Sequence, residues 1–360
     1  MIDELERCLA PDLPDGKFLI AYSGGVDSHV LLHAMHSLKE TYPLISLRAV
    51  HVDHGLHANS KNWAKHCQAV CESLGVACVI RTVVIPNVST EEGSNADAGV
   101  LRKEGLESYA RRLRYEQLSQ VLEVGELLLC AHHMEDQAET VLLQSMRGAG
   151  VKGLSAMPQR KPWSKSQLVR PLLGVAKKTI MTYAHAQGLR WVEDPSNQSC
   201  RFSRNYIRHQ VMPVMGEHWP QAAWSLAKVA KNCAVAQELL NEIAHTDWQK
   251  CCEGASSRYD FLGLSIQAVI PLNTLRQLTQ SRRLNVLRYW LGTHGARMPC
   301  RDQLMEIDRL VANSDIETGE VILVEEAPGR GKSGVASAVG RLCCCVRLWN
   351  DTVFLEWEDS

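Results

Sequence analysis

Apolar positions recur along this chain with two different periods. Short apolar runs of strand length occur at Lys17–Tyr22, Ser46–Val52, Ala77–Val84 and Glu126–Ala131. Between them, apolar residues repeat at helical spacing through Asp27–Lys39, Lys61–Leu74, Glu107–Val124 and Glu135–Arg147. Strands alternating with helices of about ten residues or more predict βαβ crossovers, and hence an α/β fold: a parallel sheet flanked by helices on both faces. Such a sheet gathers the C-terminal ends of its strands along one edge, where ligands bind. Thr90–Gly105 (TEEGSNADAGVLRKEG) is polar, glycine-rich and aperiodic, and reads as a loop that could serve as a lid.

From about Glu217 the alternation stops. Trp224–Trp248 reads as one long amphipathic helix with Ala227, Ala230, Ala234, Leu240 and Ile243 near one face. Arg282–Leu291 and Asp302–Val311 predict two more helices, separated by the breakers Gly295 and Pro299. Strand-like runs follow at Glu320–Val324, Cys343–Trp349 and Thr352–Trp357, the last two joined across the hairpin signal Asn350-Asp351. The pattern divides the chain into a catalytic α/β part over 1–215, a helical part over 216–318 and a small β extension over 319–360.

At 360 residues the chain exceeds a usual single domain, in line with that division. No run approaches the roughly 18 apolar residues of a membrane span. MIDELERCLAPD lacks the basic-then-apolar order of a signal peptide. A cytoplasmic protein without a membrane partner is expected; self-association into a homodimer is left open. The 13 cysteines are scattered and form no Cys-x-x-Cys pair, so in a cytosolic chain they read as small buried hydrophobes. The net charge of -1 averages over a polarised molecule: Val151–Met215 carries 11 basic residues against Glu193 and Asp194, a net of +9. That is the footprint a phosphate backbone leaves, and on charge alone it equally suits a solvated basic face.

The first strand runs into Ser23-Gly24-Gly25-Val26-Asp27-Ser28 and then directly into a helix. Glycines let backbone approach an anion closely, and the free amides and dipole of a helix start favour phosphate. A Walker A loop needs a lysine where Asp27 stands. A carboxylate beside phosphates is repulsive unless a cation lies between them, so Asp27 reads as a Mg²⁺ partner on the pyrophosphate of ATP. The bland alternative is a helix cap on a tight turn. Gly329-Arg-Gly-Lys-Ser333 only mimics the end of a Walker A, lying in a polar loop between strands.

SGGVDS after a strand resembles the signature of the PP-loop ATP pyrophosphatases, α/β enzymes of the adenine nucleotide alpha hydrolase-like fold that cleave ATP between its α- and β-phosphates. Later blocks narrow the resemblance. Ala49–His57 (AVHVDHGLH) can present backbone groups and His54 to an adenine, though a plain turn explains Asp-His-Gly as well. Glu107, Arg111 and Arg114 share a helix face, either as an exposed ion pair or as a phosphate clamp. In Ala131–Thr140 (AHHMEDQAET), Asp136 reads as a second carboxylate near Mg²⁺, with His132 and His133 lining the nucleotide pocket. Arg147-Gly148-Ala149-Gly150, Arg170-Pro171-Leu172-Leu173 and Asp194…Asn197…Arg204-Asn205…Arg208 complete a series that resembles the lysidine-synthetase family over residues 17–215, and more loosely over 275–312.

That resemblance implies a ligase that uses ATP and Mg²⁺ to join free L-lysine to C2 of the cytidine at the first anticodon position of tRNA(Ile) with anticodon CAU. It assigns Asp27, Asp136, Arg111 and Arg114 to catalysis, the first two to the metal. It assigns Ser23 to Ser28, with His54, His132 and His133, to the nucleotide. It gives Arg147, Arg170, Arg201, Arg204, Asn205 and Arg208 to the tRNA. The resemblance does not identify the base that takes the proton of the lysine amine; Glu139 and His133 are the candidates. A PP-loop tRNA 2-thiolase is the alternative; such enzymes rely on Cys-x-x-Cys pairs, which this chain lacks.

Overall fold

The computed structural model describes residues 1–53, 55, 59–83, 106–253, 269–296, 298–312, 321–325, 342–349 and 352–359. Two compact units divide at Ala234, and the 31-residue helix Ala222–Cys252 runs through the division. The first unit carries β1 (Lys17–Ala21), β2 (Ser46–Asp53), β3 (Ala77–Thr82), β4 (Glu126–Leu129), β5 (Arg160–Trp163) and β6 (Ser166–Val169). Its main helices are α1 (Ile2–Leu9), α2 (Val26–Ser37), α3 (Ser60–Ser73), α4 (Leu106–Val121), α5 (Met134–Met146) and α6 (Lys177–Ala186).

The sheet order is β3-β2-β1-β4-β6-β5. All neighbours run parallel except the β5–β6 hairpin, which turns through Ser164 at positive φ. That antiparallel edge, α1 and α6 are additional to the expected elements, although Leu5, Cys8 and Leu9 do stand at helical spacing in α1. The hairpin is short and mostly polar, with alternation only at Trp163, Leu168 and Val169.

β1 shows why both faces are covered. Phe18 and Ile20 pack with Leu5, Leu9, Val30, Leu31 and Ile180, whereas Leu19 packs with Leu118, Val121 and Leu128. All three strand residues are fully buried, each worth roughly 1.5–3 kcal/mol of transfer free energy. The order reverses at β1: β2 follows on one side, and β4 lies on the other. The crevice at such a switch point is the ligand site of open α/β sheets, and the loops bearing Asp27 and Asp136 leave β1 and β4.

In the second unit Trp290, Leu275, Val286, Leu287, Leu304 and Ile307 form a separate core beside an antiparallel sheet. Its strands β7 (Val269–Pro271), β8 (Val321–Glu325), β9 (Leu342–Trp349) and β10 (Thr352–Asp359) stand in the order β7-β10-β9-β8. The long helix buries Ala230, Ala244 and Asp247, while Ile243, expected on the inner face, is 37% exposed. Asp247 takes an inward position because Arg282 neutralises it. Thr90–Gly105 and Gly329–Ser333 lie outside the described residues.

Candidate active site

After β1, Gly24 adopts φ +85 and Gly25 is extended, so α2 begins at Val26. The loop is tied by its own hydroxyls: Ser28 Oγ donates to the Gly25 carbonyl at 2.9 Å and lies 3.0 Å from Ser23 Oγ. The Val192 amide donates to the Gly24 carbonyl at 3.0 Å. Behind Gly24, a Cβ would meet Cys67 Sγ at 2.9 Å, so glycine is required by both conformation and space. Burial pushes that thiol up to about 12. His51 Nδ1 lies 3.0 Å from the Tyr22 carbonyl and 3.3 Å from Cys67 Sγ, a support beneath the loop. Asp53 accepts from the Gly55 amide at 2.8 Å, a tight turn at positive φ; His54 lies outside the described residues.

After β4, His133 caps α5, and Asp136 Oδ2 accepts its backbone N–H at 3.0 Å. His133 Nε2 then stands 3.5 Å from Asp136 Oδ2 and 3.8 Å from Asp27 Oδ2. The two carboxylates assigned to the metal thus meet at one imidazole, although they come from different strand ends. Lys177 Nζ holds Asp27 Oδ1 at 2.5 Å. Arg204 and Arg208 both reach Asp136 Oδ1, at 3.1 and 2.9 Å, and both also bind Glu139. Burial works against charge on His133, but its bond to Glu135, then Asp136 and Asp27, raise its pKa above the ordinary value. Asp136, despite burial, is pulled down to about 2 by His133 and Arg204.

Beside this acidic group lies a cluster of cationic side chains. Arg170 is 3% exposed and donates Nη1 to the Pro158 carbonyl at 2.7 Å, and its Nε has no partner among the described residues. Arg111 and Arg114 both stack against Tyr115, at 5.3 and 5.5 Å. No ion pair to Arg111, Arg114 or Arg170 occurs among the described residues. Repulsion from Arg114, Arg204 and Arg170 reaches Arg111. Burial lowers the pKa of His132 to about 3, against the pull of Asp136, and Arg170, Arg111 and Arg204 add to the lowering. Its Nδ1 has no partner among the described residues. Arg170 is buried, Arg114 half-buried and Arg111 exposed, and three guanidiniums gathered in this way suit an anion.

The structure therefore brings together Asp27, Asp136, His132, His133, Arg111, Arg114, Arg170, Arg204 and Arg208. It leaves Arg147 exposed just beyond the far end of α5, about 20 Å along the helix from His133. Arg201 is also exposed. Asn205 spends its amide on the carbonyls of Ser196 and Ser199, bracing the preceding loop. The outward basic patch is smaller than the +9 count suggests: Arg170 is buried, Arg204 and Arg208 turn onto carboxylates, Arg160 pairs with Asp12 and Lys177 with Asp27. Glu135 and Lys177 join the site although no motif marked them.

Among the described residues no group of three or more His, Cys, Asp or Glu side chains forms a metal cage. Two converging carboxylates suit Mg²⁺ that arrives with a nucleotide, since this ion is commonly held by one or two carboxylates plus substrate phosphates. The donor set fits that case.

The pattern that defines the PP-loop domain matches residues 1–215, and that of the TilS substrate binding domain matches 271–324. The chain belongs to the PP-loop family. Within it, the chain is 40% identical over 303 residues to a tRNA(Ile)-lysidine synthase from Coxiella burnetii, covering 84% of this chain and 62% of that one. It is 42% identical over 289 residues to a tRNA(Ile)-lysidine synthase from Pseudomonas aeruginosa, covering 80% and 61%. The chain thus spans about three fifths of the length of these relatives. A solved U34-tRNA thiolase from Methanococcus maripaludis overlays with a TM-score of 0.48 at 19% identity, covering 64% of this chain and 78% of that one.

Proposed function

We propose that this protein ligates free L-lysine to C2 of the first anticodon cytidine of tRNA(Ile) with anticodon CAU, at the expense of ATP. The observation that carries this reading is the meeting of Asp27 and Asp136 at His133, beside the guanidiniums of Arg111, Arg114 and Arg170, for which no ion pair occurs among the described residues. Acid groups suit a metal-bound triphosphate and an amine; guanidiniums suit a phosphoryl group and an RNA strand. The kinship with tRNA(Ile)-lysidine synthases supports the choice of substrates.

In this reading the loop Ser23–Ser28 cradles the phosphates, and Asp27 and Asp136 hold Mg²⁺, which neutralises charge on the phosphates when bound. The cytidine C2 oxygen attacks the α-phosphorus, pyrophosphate leaves, and the base is adenylated. Arg111, Arg114 and Arg170 stabilise the phosphoryl group through this step. The lysine amine then attacks C2 and AMP departs. That amine must first lose a proton. Glu139 is 1% exposed and already accepts from two arginines, so it orients rather than deprotonates. His133 remains the group placed between both carboxylates. Arg147 and Arg201, both exposed, supply the charge facing RNA, and the second unit adds further tRNA contacts.

Incubating the protein with ATP, Mg²⁺, labelled lysine and that tRNA tests the reading. Label should appear in the RNA together with one AMP per lysine. RNA that stays unlabelled but takes up sulfur from a donor would point to the thiolase instead.

A further inference from the structure

The Asp27 carboxylate is paired with a cation: Lys177 Nζ lies 2.5 Å from Oδ1. Lys177 is the first residue of α6, and its backbone N–H donates to Glu135 Oε2 at 2.9 Å. The same Glu135 oxygen lies 3.0 Å from His133 Nδ1, and His133 Nε2 faces Asp27 Oδ2. The ring Asp27–Lys177–Glu135–His133 closes across α2, α6 and α5. It pins the Lys177 backbone. The ammonium sits on a flexible four-carbon stem whose side chain is 35% exposed.

The other cations at the acidic group are anchored differently. Arg204 and Arg208 each bind Asp136 and Glu139 together, so neither can leave without breaking two pairs. Among the described residues Lys177 pairs with one carboxylate, that of Asp27.

We propose that Lys177 is the exchangeable counter-cation of this site, pairing with Asp27 until a magnesium nucleotide binds and then passing to its phosphates. The proposal rests on the nucleotide reading above and deepens it. When the metal takes its place on Asp27, that carboxylate no longer needs the ammonium. The triphosphate brings new negative charge within reach of the same stem, and a compact point charge is a good phosphate ligand. The exchange moves charge without stranding any in a half-buried site.

The test uses the full chain with Lys177→Met and Lys177→Arg, and two equilibrium measurements. Mn²⁺ binding to nucleotide-free protein is read from the resonance signal of the free ion, and Mg-ATP binding by calorimetry. Lys177→Met should bind Mn²⁺ about threefold more tightly, because Asp27 is released, and Mg-ATP about tenfold more weakly. Lys177→Arg should restore most of the nucleotide affinity. A merely structural lysine would weaken both ligands together when removed, and that result, or no change in either, overturns the proposal. Wild-type protein that takes up no Mg-ATP overturns the nucleotide reading and Lys177's role with it. Wild-type binding that the variant leaves unchanged overturns the role of Lys177 alone.

Discussion

Arg208 grips Glu139 by two hydrogen bonds, Nε to Oε1 at 2.7 Å and Nη2 to Oε2 at 3.0 Å. Arg204 reaches the same carboxylate from Nε at 2.8 Å, and both arginines also hold Asp136. The helical stretch Ser203–Tyr206, continued by a π-turn at Ile207–Val211, is thereby locked onto α5. Replacing Glu139 by Gln removes one charge from a set of four and leaves two guanidiniums undercompensated. Breaking a buried pair costs about 3–5 kcal/mol, and discounting for the partly exposed arginines leaves about 2–3 kcal/mol. The urea midpoint of Glu139→Gln should fall accordingly; an unchanged midpoint would mean the network carries no net stability.

Asp136 is both helix cap and charge partner, so an alanine there confounds chemistry with folding. Asp136→Asn keeps an oxygen for the His133 amide and loses only the charge. Its folded fraction should stay high while AMP formation drops by about two orders of magnitude. Near-normal AMP release from Asp136→Asn would remove Asp136 from the metal site.

Much of this arrangement is legible in the sequence, for a physical reason. Phosphate loops and helix caps are local, so SGGVDS and AHHMEDQAET announce themselves within six to ten residues. Strand alternation also implies that the loops after β1 and β4 share an edge. What the sequence does not carry is pairing across elements. Lys177 and Asp27 meet because α6, which follows β6, packs against α2, and no spacing encodes that. For the same reason Arg204 and Arg208 read as outward positive charge, when the fold turns them onto Asp136 and Glu139. Arg170 likewise reads as an RNA contact, yet it is 3% exposed. A basic count cannot tell a guanidinium facing water from one facing a carboxylate.

Gly24 offers a sharper probe of the phosphate loop. Alanine there must adopt φ +85 and push its Cβ against Cys67 Sγ. Two costs should be separable by a double-mutant cycle. Gly24→Ala should destabilise by about 1–3 kcal/mol and abolish Mg-ATP binding. Adding Cys67→Ala should relieve the contact and recover part of the stability, while the positive φ keeps the rest of the loss. Full recovery would show that the dihedral is free of strain.

Acid should weaken the first unit well before its carboxylates titrate. His29, His33, His51 and His132 are all held below the ordinary histidine value, chiefly by burial. Nδ1 of His29 and of His132 has no partner among the described residues, and burial outweighs the Arg190 backbone bond to His29 and the Asp136 charge near His132. Their folded pKa values lie below the unfolded one near 6.5, so as pH falls through that value the unfolded chain binds protons first and stability is lost. His133, whose pKa is raised, acts in the opposite sense: its contribution is present below the unfolded value and fades as pH rises through the folded one. One such group stands against four. The depressed carboxyls of Glu135 and Asp136 do not enter this window, because their stabilisation is lost only under stronger acid. Between pH 7.5 and 5.5 each fully buried neutral ring should cost about 1 kcal/mol. Urea unfolding of the wild-type protein should therefore show a lower midpoint at pH 5.5, and His29→Gln should narrow the gap. Equal midpoints at the two pH values would mean these rings take up protons in the folded state as easily as in the unfolded one.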